Sequence, residues 1–333
     1  MSELTITELI KYITQTQFRD AFGWGIVLAK ASAGAIYPVL FFVLLSMSRY
    51  FSTFLRRWYY ISRFINWDLS QKFHIVISCV ALGLATLHAI GHLSGTFVFG
   101  SRSNREPAVN NVIDGALGPQ PQYIDYIRSL PGITGLVALG LFYTLALLSM
   151  PQVRKWNYEV FQLGHLLMYP IIGLLCAHGS AALVQQPMLG YFLAFPALLV
   201  VVERIVRVLV GFRPLPATIR ILDSETVEIK VDIPGEIIWK YRPGQYVFLQ
   251  VPKLARFQWH PFTISVCLER QVQLHIKTDG NWTKKLRDLV PQGRSEAAIN
   301  IGLNGPFGAP AERFYDFSHT LLVRSSHLLH SIR

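Results

Sequence analysis

The sequence predicts an α-helical transmembrane bundle followed by an antiparallel β-barrel. Three observations carry that reading. Mean hydropathy is +0.34 and 51% of the 333 residues are hydrophobic, which is high for a chain dissolved in water. Windows of about 19 residues give five apolar spans, near 24–48, 74–99, 131–150, 160–182 and 189–209. After Phe212 the texture changes to short alternating runs with charges and turn residues, so a separate domain follows.

Each span is long enough to cross a hydrocarbon core of about 30 Å. Residues 1–20 are of mixed polarity without an apolar core, so no cleavable signal peptide is expected there. The chain therefore reads as an N-terminal segment (1–23), a bundle (24–210), a barrel domain (211–310) and a short further segment (311–333).

The net charge of +11 is distributed by topology. Arg49, Arg56, Arg57, Arg63 and Lys72 lie between the first two spans, Arg154 and Lys155 between the third and fourth, and Arg204, Arg207 and Arg213 flank the exit of the fifth. In the 100–130 loop, arginines are offset by Glu106, Asp114 and Asp125. This positive-inside pattern puts 49–73, 151–159 and everything after 210 in the cytoplasm. Basic charge here sets orientation, and no nucleic-acid partner is expected. The cysteines, Cys79, Cys176 and Cys267, imply no disulfide framework.

Four histidines form two matched pairs in two apolar spans: His74 and His88 in FHIVISCVALGLATLHAIGHL, His165 and His178 in VFQLGHLLMYPIIGLLCAHG. Imidazole is costly in hydrocarbon, so each is a functional candidate. Fourteen residues of helix separate the first two by about 21 Å and leave the rings on nearly one face. Thirteen separate the second two by about 19.5 Å but leave them roughly 140° apart. A distortion around Pro170 and Gly173 is therefore expected. Pairing by depth gives His74 with His165 and His88 with His178, the ligand set of two bis-imidazole haems stacked across a bilayer. Six-coordinate iron favours electron transfer, so the acceptor would react at the haem edge. Two residues lie where that happens: His92, one turn beyond His88, and Lys30, a lone cation in the first span. Interhelical hydrogen bonding is the plainer role for any one histidine, and snorkelling for Lys30.

In the second domain, Val227, Ile229, Val231 and Ile233 alternate with polar neighbours as in a half-buried strand. YRPGQ at 241–245 is a turn feeding a strand at 246–251, with further strands at 262–267 and 271–277 and a short helix at 282–289. Short strands with turn signals predict the antiparallel barrel. His260-Pro261-Phe262-Thr263, after Trp259, suits a flat heterocycle, and Lys277 and Thr283 suit phosphates.

These segments resemble the NADPH oxidase and ferric reductase superfamily, over about 24–323. The resemblance extends to PGITG at 131–135, ERIVR at 203–207, YRPGQYVFLQVPKLARFQWHPFTIS at 241–265, HIKTDGNWT at 275–283 and NGPFGAP at 304–310, and leans toward the oxidases. It implies haem ligation by His74, His88, His165 and His178, and a ferredoxin-reductase-type barrel holding FAD at His260, Pro261, Phe262 and Thr263, with Lys277 and Thr283 at its phosphates. It implies an oxygen-reducing site on Lys30 and His92, although the family usually has arginine at the first. The family has six spans and a cytoplasmic amino terminus, whereas five spans put Met1 outside; a first span is absent, or residues 5–20 form an interfacial helix. His319–Val323 resembles the first strand of a nicotinamide domain, and the glycine-rich turn for NADPH is expected to be missing from 311–333.

The resulting expectation is an oxidoreductase of the plasma membrane or an endomembrane, with its FAD domain cytoplasmic. It would pass electrons from NADPH-reduced FAD through two b-type haems to oxygen, making superoxide. A ferric chelate is the alternative acceptor, and a non-catalytic truncated form the second alternative. Membrane lipid, a small membrane subunit and cytosolic activators are the expected partners.

Overall fold

A computed structural model of the chain describes residues 2–308 and 318–319. The helices are α1 (Ser2–Thr14), α2 (Thr16–Phe22), α3 (Gly25–Leu45), α4 (Arg49–Arg56), α5 (Tyr59–Phe64), α6 (Ser70–Ile90), α7 (Phe97–Gly100), α8 (Glu106–Ile113), α9 (Tyr123–Arg128), α10 (Leu130–Leu148), α11 (Pro151–Trp156), α12 (Tyr158–His165), α13 (Met168–Ser180), α14 (Leu189–Gly211) and α15 (Asn281–Arg287). The strands are β1 (Leu215–Ile221), β2 (Thr226–Asp232), β3 (Tyr246–Gln250), β4 (His260–Thr263), β5 (Val266–Leu268), β6 (Gln271–Lys277) and β7 (Glu296–Phe307). The nicotinamide-domain start expected at 311–333 lies, apart from Ser318 and His319, outside the described residues.

Two compact units form. One is Met1–Met47 with Ser70–Val200; the other is Ser48–Leu69 with Val201–Arg333. The 48–69 loop and the last turns of α14, read from sequence as bundle, thus cluster with the sheet.

Among the described residues, four helical segments, all in the first unit, are long and apolar enough to span a membrane: Gly25–Leu45, Ser70–Gly100, Leu130–Leu148 and Tyr158–Ser180. The fifth expected span, α14, is 23 residues long but carries Glu203, Arg204 and Arg207 toward its end. Residues 5–20 fall in α1 and α2, whose Tyr12, Phe18 and Phe22 share a core with Ile26 and Val27 of α3. A second core joins Val39 and Leu40 to Ile77, Ala81, Leu189 and Leu193. Glycines set how closely α3 and the segment after α6 approach. A Cβ on Gly25 would lie 2.6 Å from both the Gly91 carbonyl oxygen and the Gly95 Cα. Small residues allow such backbone contact.

The fourth span is interrupted between α12 and α13. The N–H groups of Leu166, Leu167 and Tyr169 bond three residues back, at 3.0–3.1 Å. Pro170 explains the place: its ring clashes with the carbonyl four residues earlier, that of Leu166. The break therefore precedes Pro170, while Gly173 lies within α13. Winding at three residues per turn adds roughly 20° per residue over an α-helix, which rotates His178 back toward the face of His165.

The second unit is an antiparallel sheet in the order β4-β3-β7-β1-β2-β6-β5, curled around a core that includes Ile219, Val227, Ile229, Leu249, Leu274 and Leu286. The single strand expected at 262–267 is two, β4 and β5. The expected helix at 282–289 is α15. Ser48, which is 2% exposed, is the N-cap residue of helix α4, and Glu203, 8% exposed, adds to the cap. The Glu203 carboxylate accepts from the Ser48 hydroxyl and from the backbone N–H groups of Arg49 (3.1 Å) and Tyr50 (2.8 Å).

Candidate functional site

The four paired histidines, His74, His88, His165 and His178, are each hydrogen-bonded through Nδ1. His88 meets the Ala29 carbonyl at 2.8 Å and His178 the Pro131 carbonyl at 2.8 Å. His74 meets the Ser46 hydroxyl at 3.0 Å and the Val43 carbonyl at 3.2 Å. His165 meets the Ser149 hydroxyl at 3.2 Å. Carbonyls only accept, so His74, His88 and His178 carry their proton on Nδ1. Ser149 already donates to the Leu145 carbonyl at 2.6 Å, so it accepts from His165. Every Nε2 is left with its lone pair.

Helix α3 and Ser46 just beyond it orient the α6 pair, while α10 and Ser149 orient His165 and His178. The His88 and His178 rings stand 6.0 Å apart between centroids, and His74 is close enough to His165 for electrostatic interaction. A Cβ on Gly135 would lie 2.8 Å from His178 Cε1, so only glycine leaves the ring that seat. Metal-binding imidazoles are held through their second nitrogen. The arrangement fits a bis-histidine haem at each pair. Among the described residues no group of three or more His, Cys, Asp or Glu forms a protein-only metal site.

His92 lies beside His88, with ring centroids 4.7 Å apart, and stacks on Phe97 at 5.4 Å. It sits in a π-helical segment, Gly91–Thr96, a form common at functional sites. Its Nδ1 is buried without a hydrogen-bond partner. Lys30 is within electrostatic range of His88, His92 and His178. Its ammonium donates to Gln185 Oε1 at 3.4 Å and lies 5.8 Å above the Tyr12 ring. Sequence reasoning missed Gln185 and Tyr12, which lie far from Lys30 in the chain with no local pattern to link them.

In the sheet, β4 divides HPFT between two faces. His260 and Phe262 lean on Trp282, at 4.1 and 6.1 Å between centroids. Pro261 and Thr263 are exposed on the other face, opposite Phe248 and Tyr246 in register. Arg207 lies 4.3 Å above the Phe248 ring, and burial raises the Tyr246 phenol pKa. Lys277 is paired with Asp279 at 2.9 Å and Glu225 at 3.6 Å; the hydrogen bond it donates to Asp279 raises its pKa. Thr283 accepts from the Gly280 N–H at 3.0 Å, which orders the start of α15. The exposed Thr263 and Pro261, backed by aromatic rings, fit a flat heterocycle.

A helical bundle with paired histidines, joined to a curled sheet bearing HPFT, defines a membrane redox class. A ferric reductase like transmembrane component family matches residues 33–176, and an FAD-binding domain family matches 212–311. Dual oxidase 2 of Sus scrofa is 30% identical over 311 residues, covering 90% of this chain and 20% of that protein. Dual oxidase 1 of Homo sapiens is 29% identical, covering 92% and 20%. A superoxide-generating NADPH oxidase heavy chain of Dictyostelium discoideum is 28% identical, covering 84% and 43%. The chain thus spans 20% of the length of those dual oxidases. A flavohemoglobin structure from Malassezia yamatoensis aligns at 13% identity with a TM-score of 0.21, too slight to bear on the fold.

These matches place the chain in the NADPH oxidase and ferric reductase superfamily, as its motifs indicate. It is an integral membrane protein with an FAD-binding domain.

Proposed function

We propose that this chain carries electrons across a membrane, from NADPH-reduced FAD through two bis-histidine b-type haems to molecular oxygen, producing superoxide. The observation that supports this most is the Nδ1 hydrogen bond shared by His74, His88, His165 and His178, which fits imidazoles that ligate through Nε2. Bound FAD would supply the change from hydride to single electrons, and bound haem the one-electron steps.

The chain's own residues do the positioning. His74 with His165, and His88 with His178, would hold the iron of the two haems. The α3 and α10 acceptors keep those rings from turning. Thr263 offers a hydroxyl to the flavin edge, while His260, Phe262 and Trp282 brace the strand behind it. Lys277 and Thr283 stand for the phosphates, Lys277 exchanging Asp279 for a phosphate oxygen. Lys30 and His92 mark where the acceptor meets the far haem edge. Arginine and lysine differ in reach and donor geometry, so Lys30 approaches the acceptor as a single point charge. The positive-inside charge pattern supports a cytoplasmic FAD domain, in the plasma membrane or an endomembrane.

The match to a ferric reductase like component favours a second reading, in which a ferric chelate takes the electron. The chain in nanodiscs, reduced with dithionite, separates them. Oxygen as acceptor gives superoxide-dismutase-sensitive dye reduction as the haem bands reoxidise. Insensitive reduction, with ferric chelate reoxidising the bands faster than oxygen, supports the second reading.

A further inference from the structure

We propose that Gln185 and Tyr12 are positioning residues that aim the Lys30 ammonium at the acceptor site beside His92; this rests on the proposed function above. Gln185 lies seven positions after His178, in the segment leading from α13 to α14. Its Oε1 accepts from the Tyr12 hydroxyl at 3.2 Å and from the Lys30 ammonium at 3.4 Å. An amide oxygen has two lone pairs, and here each takes one donor. Tyr12 is fully buried, at 0% exposure, in the core that joins α1 to α3. It therefore holds Gln185 in place, and Gln185 in turn holds Lys30.

Both groups are neutral, so these contacts fix the position of the ammonium without cancelling its charge. The Tyr12 ring adds to this: Lys30 lies 5.8 Å above it and Lys11 5.2 Å, each within cation–π range. A cavity of about 430 Å³ opens beside Gln185, lined also by Lys11, Val112, Gln186 and Met188. The chemistry served is a one-electron transfer. With haem bound, the group would supply one electron to dioxygen, giving superoxide with no proton moved. A fixed positive charge stabilises the anion as it forms.

The test uses the haem-loaded chain in nanodiscs, with Gln185→Leu, Tyr12→Phe, Lys30→Met and the Gln185→Leu/Lys30→Met double variant. Two quantities are read: the rate at which oxygen reoxidises the dithionite-reduced haem bands, and the midpoint potentials of the two haem waves. Gln185→Leu is expected to slow reoxidation roughly tenfold and to lower one midpoint potential while leaving the other in place. Tyr12→Phe, which keeps the buried ring, moves both readouts the same way by less. The double variant matches Lys30→Met alone, the signature of residues acting through one another.

Additive effects in the double variant overturn the proposal. So do unchanged rates and potentials in both Gln185→Leu and Tyr12→Phe, or in Lys30→Met. An unsubstituted chain without b-type haem bands instead overturns the proposed function, and this inference with it.

Discussion

His178 gives its Nδ1–H to the Pro131 carbonyl at 2.8 Å, and Gly135, one turn further along the same helix, leaves the ring its place. A methyl at Gly135 would stand 2.8 Å from the imidazole. Gly135→Ala is therefore expected to displace His178 and to halve the haem bound per chain, as measured by pyridine haemochrome. Gly173→Ala, whose added carbon meets nothing within 4 Å, is the matched control and retains both haems.

Each of the two serines beside a histidine shares it with a backbone partner. His165 has the Ser149 hydroxyl at 3.2 Å together with the Phe161 backbone, and His74 has Ser46 together with the Val43 carbonyl. Ser149→Ala should weaken haem retention by roughly 10–100-fold, the usual effect of losing such a support. Ser46→Ala should weaken it to a similar degree. The rate of haem transfer to apomyoglobin reads both.

Glu203 caps α4 with one carboxylate shared among three donors. Glu203→Ala is expected to cost about 1–2 kcal/mol, as loss of a helix cap does. Hydrogen exchange should then rise at 49–53, while β1 at Leu215–Ile221 keeps its protection.

Thr263 is exposed on β4 and packs no core. Thr263→Ala should leave the melting of the sheet unchanged and weaken FAD binding by about 1 kcal/mol, the worth of one hydrogen bond. Trp282 instead supports His260 and Phe262 from within. Trp282→Ala should lower stability by about 3–5 kcal/mol along with flavin binding. Flavin fluorescence titration and thermal melts distinguish the two.

The histidine ladder was readable from sequence because a polar ring in an apolar run stands out and helical rise is constant. The sheet was readable from alternation at Val227, Ile229 and Val231. The acceptors that fix the imidazoles were not. Ala29 is 59 positions from His88 and Pro131 is 47 from His178, so only helix packing brings them together. Pro170 announced a break in the fourth span, but its place follows from a clash with the Leu166 carbonyl, one turn earlier. The split of HPFT into two faces follows from the pleat of β4, and the buried role of Trp282 from the way α15 folds back on it.

The central claim is that His74, His88, His165 and His178 hold two haems. The most direct measurement is haem per polypeptide by pyridine haemochrome, together with the low-temperature paramagnetic resonance of the oxidised chain in nanodiscs. The account predicts two b-type haems per chain, both low-spin with bis-imidazole signals, falling to one in His88→Ala and in His165→Ala. A chain that binds no haem, or binds it in a high-spin form unaffected by these substitutions, would contradict it.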